Sequence, residues 1–245
     1  MKSLAIIPAR SGSKGLKDKN IKSFAGKPLL AYTVLAAKES QCFDEIMVST
    51  DSKKYAAIAK EYGASVPFLR SARTSSDEAS SWDMVEEVLE GYSKLDRRFD
   101  CFCLLQPTSP LRNADHIKKA FDAMNLKQAK AIVSVTEAGH SLALYSTLPA
   151  DGSMSNFVNQ KNGLRRRQDY KEIYFRINGA VYLIDVPFFK RSHNIYRDGC
   201  YAFEMDKLAS IDIDDKDDFA LAELAYMYKE FDDASLCLTN NPIGG

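Results

Sequence analysis

The segment Ala9-Arg10-Ser11-Gly12-Ser13-Lys14-Gly15, with Lys17, Lys19 and Asn20 just beyond it, carries residue types suited to a polyphosphate. Glycines permit tight turns in which successive N–H groups point at one anion. Arg10, Lys14 and Lys19 add positive charge. The run is not GxxxxGK[ST], and Gly12 and Gly15 do not make GxGxxG, so the P-loop and dinucleotide fingerprints are both missing. Read alone, it is equally a solvated basic turn. A second segment, Gln106-Pro107-Thr108-Ser109-Pro110-Leu111-Arg112, ends an apolar run. Its two prolines stiffen the loop and would present Gln106 and Arg112 at little entropic cost. Asp212-Ile213-Asp214 would put two carboxylates on one strand face, an oxygen pair suited to Mg²⁺. The competing reading has Asp214 and Asp215 cap the last helix. Arg165-Arg166-Arg167-Gln168-Asp169, followed by Tyr174, Arg176, Asn178 and Gly179, offers guanidinium forks for a carboxylate, or else a solvated charge run. Near Ser76-Asp77-Glu78-Ala79-Ser80-Ser81, the side chains of Arg70, Ser80 and Ser81 either contact a base or serve a helix start. His116, His140 and His193 have no metal-ligand spacing. No GxSxG elbow occurs, which leaves a Ser-His-Asp hydrolase unsupported.

Such residues need elements to hold them. Short apolar strands are predicted at Leu4–Ile7, Ile46–Ser49, Ser65–Leu69, Cys101–Gln106, Ala131–Val135, Asn178–Ile184 and Ser210–Asp214. Helices are predicted from Pro28 onward, over Lys53–Tyr62 with Thr50-Asp51 as cap, from Ser80 to about Leu95, after Asn113 or Asp115, and from Lys216 to Phe231. Continuous apolar strands separated by helices mean an α/β fold with a parallel sheet covered on both faces. Ligands then bind at the carboxyl ends of the strands, where the loops after Ile7, Ser49, Leu105 and Val135 lie. The stretch from Gly139 to Arg176 is polar, irregular and rich in Asn, Gln, Ser and Arg. It reads as an inserted small subdomain, with outer bounds at 139–200.

At 245 residues the chain is one large domain, or one with a small appendage. Lys plus Arg number 33 and Asp plus Glu number 33, so the net charge is zero. That argues against a non-specific nucleic-acid binder. The five cysteines are odd in number and lack a CxxC pair, and Cys101 and Cys103 alternate in an apolar run. Buried free thiols in a reducing compartment fit best. No apolar run reaches the roughly 18 residues of a membrane span. The apolar start ending at Pro8 is too short for a signal peptide, so a cytoplasmic location is expected.

Taken in order, the motifs resemble those of the acylneuraminate cytidylyltransferases. The matching runs are Ile7-Pro8-Ala9-Arg10-Ser11-Gly12-Ser13-Lys14-Gly15 with Lys19-Asn20, Ser49-Thr50-Asp51, Ser76-Asp77, and Ala79-Ser80-Ser81. Leu105-Gln106-Pro107-Thr108-Ser109-Pro110-Leu111-Arg112, Arg166-Arg167-Gln168-Asp169, Asn178-Gly179-Ala180 and Ser210-Ile211-Asp212-Ile213-Asp214 complete the series. The resemblance implies a Rossmann-like nucleotidyltransferase with a mainly parallel sheet, a small dimerisation subdomain, a homodimer and Mg²⁺. It implies that CTP reacts with a nine-carbon 2-keto sugar acid to give the CMP-sugar and pyrophosphate. Arg10, Ser13, Lys14, Lys19 and Asn20 would hold the triphosphate, and Arg70, Ser80 and Ser81 would lie near the cytosine. Gln106, Arg167, Gln168, Tyr174, Arg176 and Asn178 would face the sugar acid. Asp212 and Asp214 would hold the metal, and Lys19, Arg10 and Asp212 would carry the catalysis.

The first loop lacks the Thr-Arg-Leu-Pro type sequence normal for the related synthetase of the eight-carbon acid KDO, which argues against that substrate. Sialic, legionaminic and related acids are not separated by the motifs. Two competing readings are a non-catalytic nucleotide-sensing dimer and a nucleotidyltransferase for sugar 1-phosphates. The metal pair counts against the first. Pro8-Ala9-Arg10, where a Leu-Ala-Gly-Gly-like loop is usual, counts against the second.

Overall fold

The computed structural model describes residues 1–12, 15–155, 157 and 173–239. The strands are β1 (Ser3–Pro8), β2 (Ser23–Phe24), β3 (Lys27–Pro28), β4 (Glu45–Ser49), β5 (Cys101–Leu104), β6 (Ala131–Glu137), β7 (Phe175–Asp185) and β8 (Cys200–Glu204). The helices are α1 (Leu29–Ser40), α2 (Lys53–Glu61), α3 (Ala72–Ser75), α4 (Ser81–Lys94), α5 (Ala114–Leu126), α6 (Val186–Arg191) and α7 (Lys216–Thr239). Six strands form one sheet in the order β4-β1-β5-β7-β6-β8. Alternate residues of β1 feed opposite cores. Ala5 and Ile7 pack with α1, α2 and α5, while Leu4 and Ile6 pack with α4 and α6. That double burial explains why the strand reads as a continuous apolar run.

The sheet is mixed. β4, β1 and β5 are parallel, and so are β6 and β8, but β7 runs antiparallel to both β5 and β6. An all-parallel sheet needs a crossover before each strand. Here the chain leaves β6 at Glu137 and re-enters β7 at Phe175 directly opposite, with the Ala138 N–H donating to the Tyr174 carbonyl at 2.7 Å. The segment between therefore departs from and returns to one end of the sheet, as in a long hairpin. β7 lies in the middle of the sheet and β8 at its edge.

Other expectations also change. Ser65–Leu69 gives only one bridge, between Met47 and Ser65. Pro67 follows closely and cannot donate to a ladder. Ser210–Asp214 forms no strand. The turn N–H groups of Ser210 and Ile211 bond back to Lys207 and Leu208, and the Ile213 N–H bonds to the Thr108 carbonyl. Ser52, not Thr50 or Asp51, caps α2. Asp51 is occupied elsewhere, accepting from the Ser11 N–H and hydroxyl at 2.8 Å each. Asn113 caps α5. Cys101 and Cys103 are buried free thiols, as expected. Among the described residues no helix is long and apolar enough to cross a membrane.

Candidate active site

A cavity of about 630 Å³ opens at the carboxyl ends of β1 and β5, within the usual size range of small-molecule sites. Its first wall is the loop after β1. Arg10 Nη1 donates to the Ser75 carbonyl at 3.1 Å and pairs with Asp77 at 2.8 Å. Asn20, nearly buried, donates to the Arg10 carbonyl and so pins the loop to itself. Lys19 Nζ reaches the Ile213 carbonyl at 2.5 Å. Neither Gly12 nor Gly15 adopts a left-handed φ, so the turns were not their purpose. A Cβ on Gly15 would collide with the Asp214 carbonyl. The glycine is there to let two backbones approach.

The second wall comes from the start of α4. Ser81 and Met84 line the cavity, and Arg70 faces them from the preceding loop. Arg70 Nε donates to the Thr74 carbonyl at 2.9 Å; burial and then the nearby Arg10 lower its pKa. Ser80 does not reach the lining. Its hydroxyl closes a capping box with Asp83, so Ser81 and Arg70 line the cavity without it.

The third wall joins Gln106, Pro107 and Thr108 with Asp212 and Asp214. Ile213 is wholly buried among Phe24, Leu29 and Phe219, worth roughly 1.5–3 kcal/mol of anchoring. That anchor fixes the two aspartates although no strand ladder does. Burial, then the charge of Asp214, pushes the Asp212 pKa up, while Thr108 hydrogen-bonds it and opposes the rise. Asp212 Oδ1 is buried and has no hydrogen-bond partner. An orphaned carboxylate oxygen beside a second carboxylate is a fitting donor set for a divalent cation that completes its shell with phosphate and water. No group of three or more His, Cys, Asp or Glu side chains suited to a metal occurs among the described residues.

Several predicted sugar-acid contacts sit elsewhere. Asn178 is buried and its amide is consumed. It accepts from Ser134 and from the Ala180 N–H, and it donates to Ser210 at 2.8 Å. It braces β7 where extra residues bulge out between Ile177 and Tyr182 opposite β6. Gly179, at φ +76°, turns that bulge and faces both Gln106 Oε1 and Asp212 Oδ2. Arg176 is exposed and donates to the Ser210 carbonyl at 2.9 Å, and neither it nor Tyr174 lines the cavity. Arg112, expected to be presented, is instead fully buried. Ser13, Lys14, Arg165, Arg166, Arg167, Gln168 and Asp169 lie outside the described residues.

The sequence reading missed Thr108, which lines the cavity, although it stood inside a quoted motif. Tyr182 packs against the core behind the site. Burial, then Tyr196 and the Asp212 charge, pushes the Tyr182 phenol up to about 12. Its ring meets Trp82 edge-on at 5.8 Å.

Cations from two walls thus confront a carboxylate pair on the third, the arrangement a polyanion with a divalent ion requires. The cytidylyltransferase family model matches residues 4–232. The chain belongs to that family. It is 40% identical over 221 residues to an N-acylneuraminate cytidylyltransferase of Streptococcus agalactiae serotype V, covering 89% of this chain and 52% of that protein. It thus spans about half the length of the curated N-acylneuraminate relatives it matches. It is 35% identical to the CMP-N,N'-diacetyllegionaminic acid synthase of Legionella pneumophila, covering 91% and 95%. It is 32% identical to a pseudaminic acid cytidylyltransferase of Campylobacter jejuni, covering 92% and 97%. The fold is that of a CMP:2-keto-3-deoxy-manno-octonic acid synthetase solved with CTP, at TM-score 0.67, 15% identity, and 94% and 99% coverage. The family resemblance read from the motifs is borne out.

Proposed function

We propose that this cytidylyltransferase transfers CMP from CTP to the anomeric hydroxyl of a nine-carbon 2-keto sugar acid, such as N-acetylneuraminate or legionaminate, and releases pyrophosphate. One observation carries the reading: Arg10, Lys19 and Arg70 share a single cavity with Asp212 and Asp214. The hydroxyl oxygen forms a bond to the α-phosphorus as the bond to the β-phosphate breaks. Positioning and charge neutralisation dominate such chemistry. Arg10 and Lys19 neutralise the triphosphate, with Ser13, Lys14 and Asn20 completing the loop. Arg70 and Ser81 flank the cytosine, and Gln106 meets the sugar acid, whose carboxylate suits Arg167 and Gln168. Asp212 and Asp214 hold Mg²⁺, which when bound neutralises charge on the phosphates. A homodimer and a cytoplasmic location belong to the same reading.

The test is pyrophosphate release with Mg²⁺ and CTP, UTP or GTP against N-acetylneuraminate, legionaminate, pseudaminate and KDO. Release with CTP and a nine-carbon acid is expected, and Asp212→Asn should abolish it. CTP binding without release from any of these acids would overturn the reading. Sedimentation should give twice the chain mass; a species of about 27 kDa at micromolar concentration removes the dimer.

A further inference from the structure

The loop that presents Gln106 ends in a cation to which the proposed reaction gives no role. Arg112 is 1% exposed, and among the described residues no carboxylate pairs with it. Burial lowers its pKa to about 10, which leaves it charged at neutral pH. Nη1 donates to the carbonyls of Gln106 at 3.1 Å and Ala180 at 3.2 Å. Nη2 donates to the Thr33 hydroxyl at 2.5 Å, and Nε has no partner. Burying a charge among neutral acceptors is unfavourable, and an apolar side chain could fill the same volume. What an apolar side chain cannot do is hold three elements with one planar fork. Thr33 belongs to α1, Gln106 to the cavity wall and Ala180 to the bulge of β7.

Two of those anchors adjoin the chemistry. Gln106 lines the cavity, and Ala180 follows Gly179, whose missing side chain leaves the niche that Gln106 Oε1 and Asp212 Oδ2 both border. We infer that Arg112 is a positioning residue for the sugar acid, fixing Gln106 against Asp212 across the Gly179 niche from behind the site. The inference rests on the cytidylyltransferase reading, with Gln106 as a sugar-acid contact.

Arg112→Lys keeps the charge but not the fork. In an enzyme active with the wild-type chain, it should lower kcat/KM for the sugar acid by about ten- to hundredfold. CTP affinity, read from the fluorescence of the single Trp82, should stay unchanged. Because Arg112 acts through Gln106, adding Arg112→Lys to Gln106→Ala should cost little more than Gln106→Ala alone. A purely structural role predicts parallel loss of CTP and sugar acid, or full additivity, and either result overturns the inference. Unchanged sugar-acid kinetics in Arg112→Lys overturns it too. Should that variant not fold, Thr33→Val removes one anchor while keeping the volume. A selective loss for the sugar acid is then expected, and its absence refutes the role. A wild-type chain silent with every acid defeats the functional reading itself, and with it the assignment of Arg112.

Discussion

At the scale of single residues, the site depends on close approaches more than on free side chains. Lys19 is bonded to the Ile213 carbonyl, between the two aspartates, so it links the loop after β1 to the carboxylate pair. Lys19→Ala should lower kcat by about 10²-fold or more, the effect of removing one transition-state electrostatic partner, while circular dichroism stays native. Unaltered turnover would remove Lys19 from the reaction. Gly15→Ala tests the same junction without touching a charge. The new methyl group meets the Asp214 backbone oxygen, which cannot swing aside as a side chain could. Activity should fall by about 10²-fold through misplacement alone. A Gly15→Ala enzyme with wild-type kcat/KM would mean that the loop and the 212–214 segment separate freely.

At the scale of elements, two kinds of polar residue looked alike in sequence and differ in role. Ser80 is an exposed cap at the start of α4, and its replacement by Ala should cost about 1 kcal/mol. Asn178 is the buried brace of the β7 bulge, with bonds to Ser134 and Ser210. Its replacement by Ala leaves those buried hydroxyls short of partners and should cost about 1–3 kcal/mol. Urea denaturation of both variants ranks them. If Ser80→Ala proves the more damaging, the bulge is not held as described. β7 runs antiparallel to β5, and its Gly179 turns toward Gln106 and Asp212.

At the scale of the whole molecule, the edge strand β4 is tied to distant chain segments through one carboxylate. Glu45 accepts from Arg97 and Tyr92 at 2.8 and 2.9 Å and from the Ser65 hydroxyl. Burial would raise its pKa, but the hydrogen bonds from Arg97, Ser65 and Tyr92 together outweigh that and leave it below the ordinary 4.5. A depressed carboxylate contributes stability that is present above the unfolded pKa and lost as pH falls through the folded one. Glu45→Gln should therefore melt lower than the wild type near neutrality, and the gap should shrink as pH drops below 4.5. A gap that stays constant into strong acid would show that the charge of Glu45 contributes nothing. At this scale too the excursion between Glu137 and Phe175 becomes intelligible, as a detour whose ends meet across adjacent strands.

The sequence by itself determined the α/β class, the loops at the strand ends and the motifs of the family. Burial on both sheet faces forces continuous apolar runs, and caps and prolines mark their own positions locally. Only the tertiary structure decided the direction of β7, because a strand's side-chain pattern is the same in either direction. It alone separated Ser81 from Ser80 and sent Arg112 and Asn178 inward. A polar residue's type states what it can bond to, not which partner the fold brings within reach. Gly15 shows the same limit: its place suggested a tight turn, and its cause is a carbonyl some two hundred residues away in the chain.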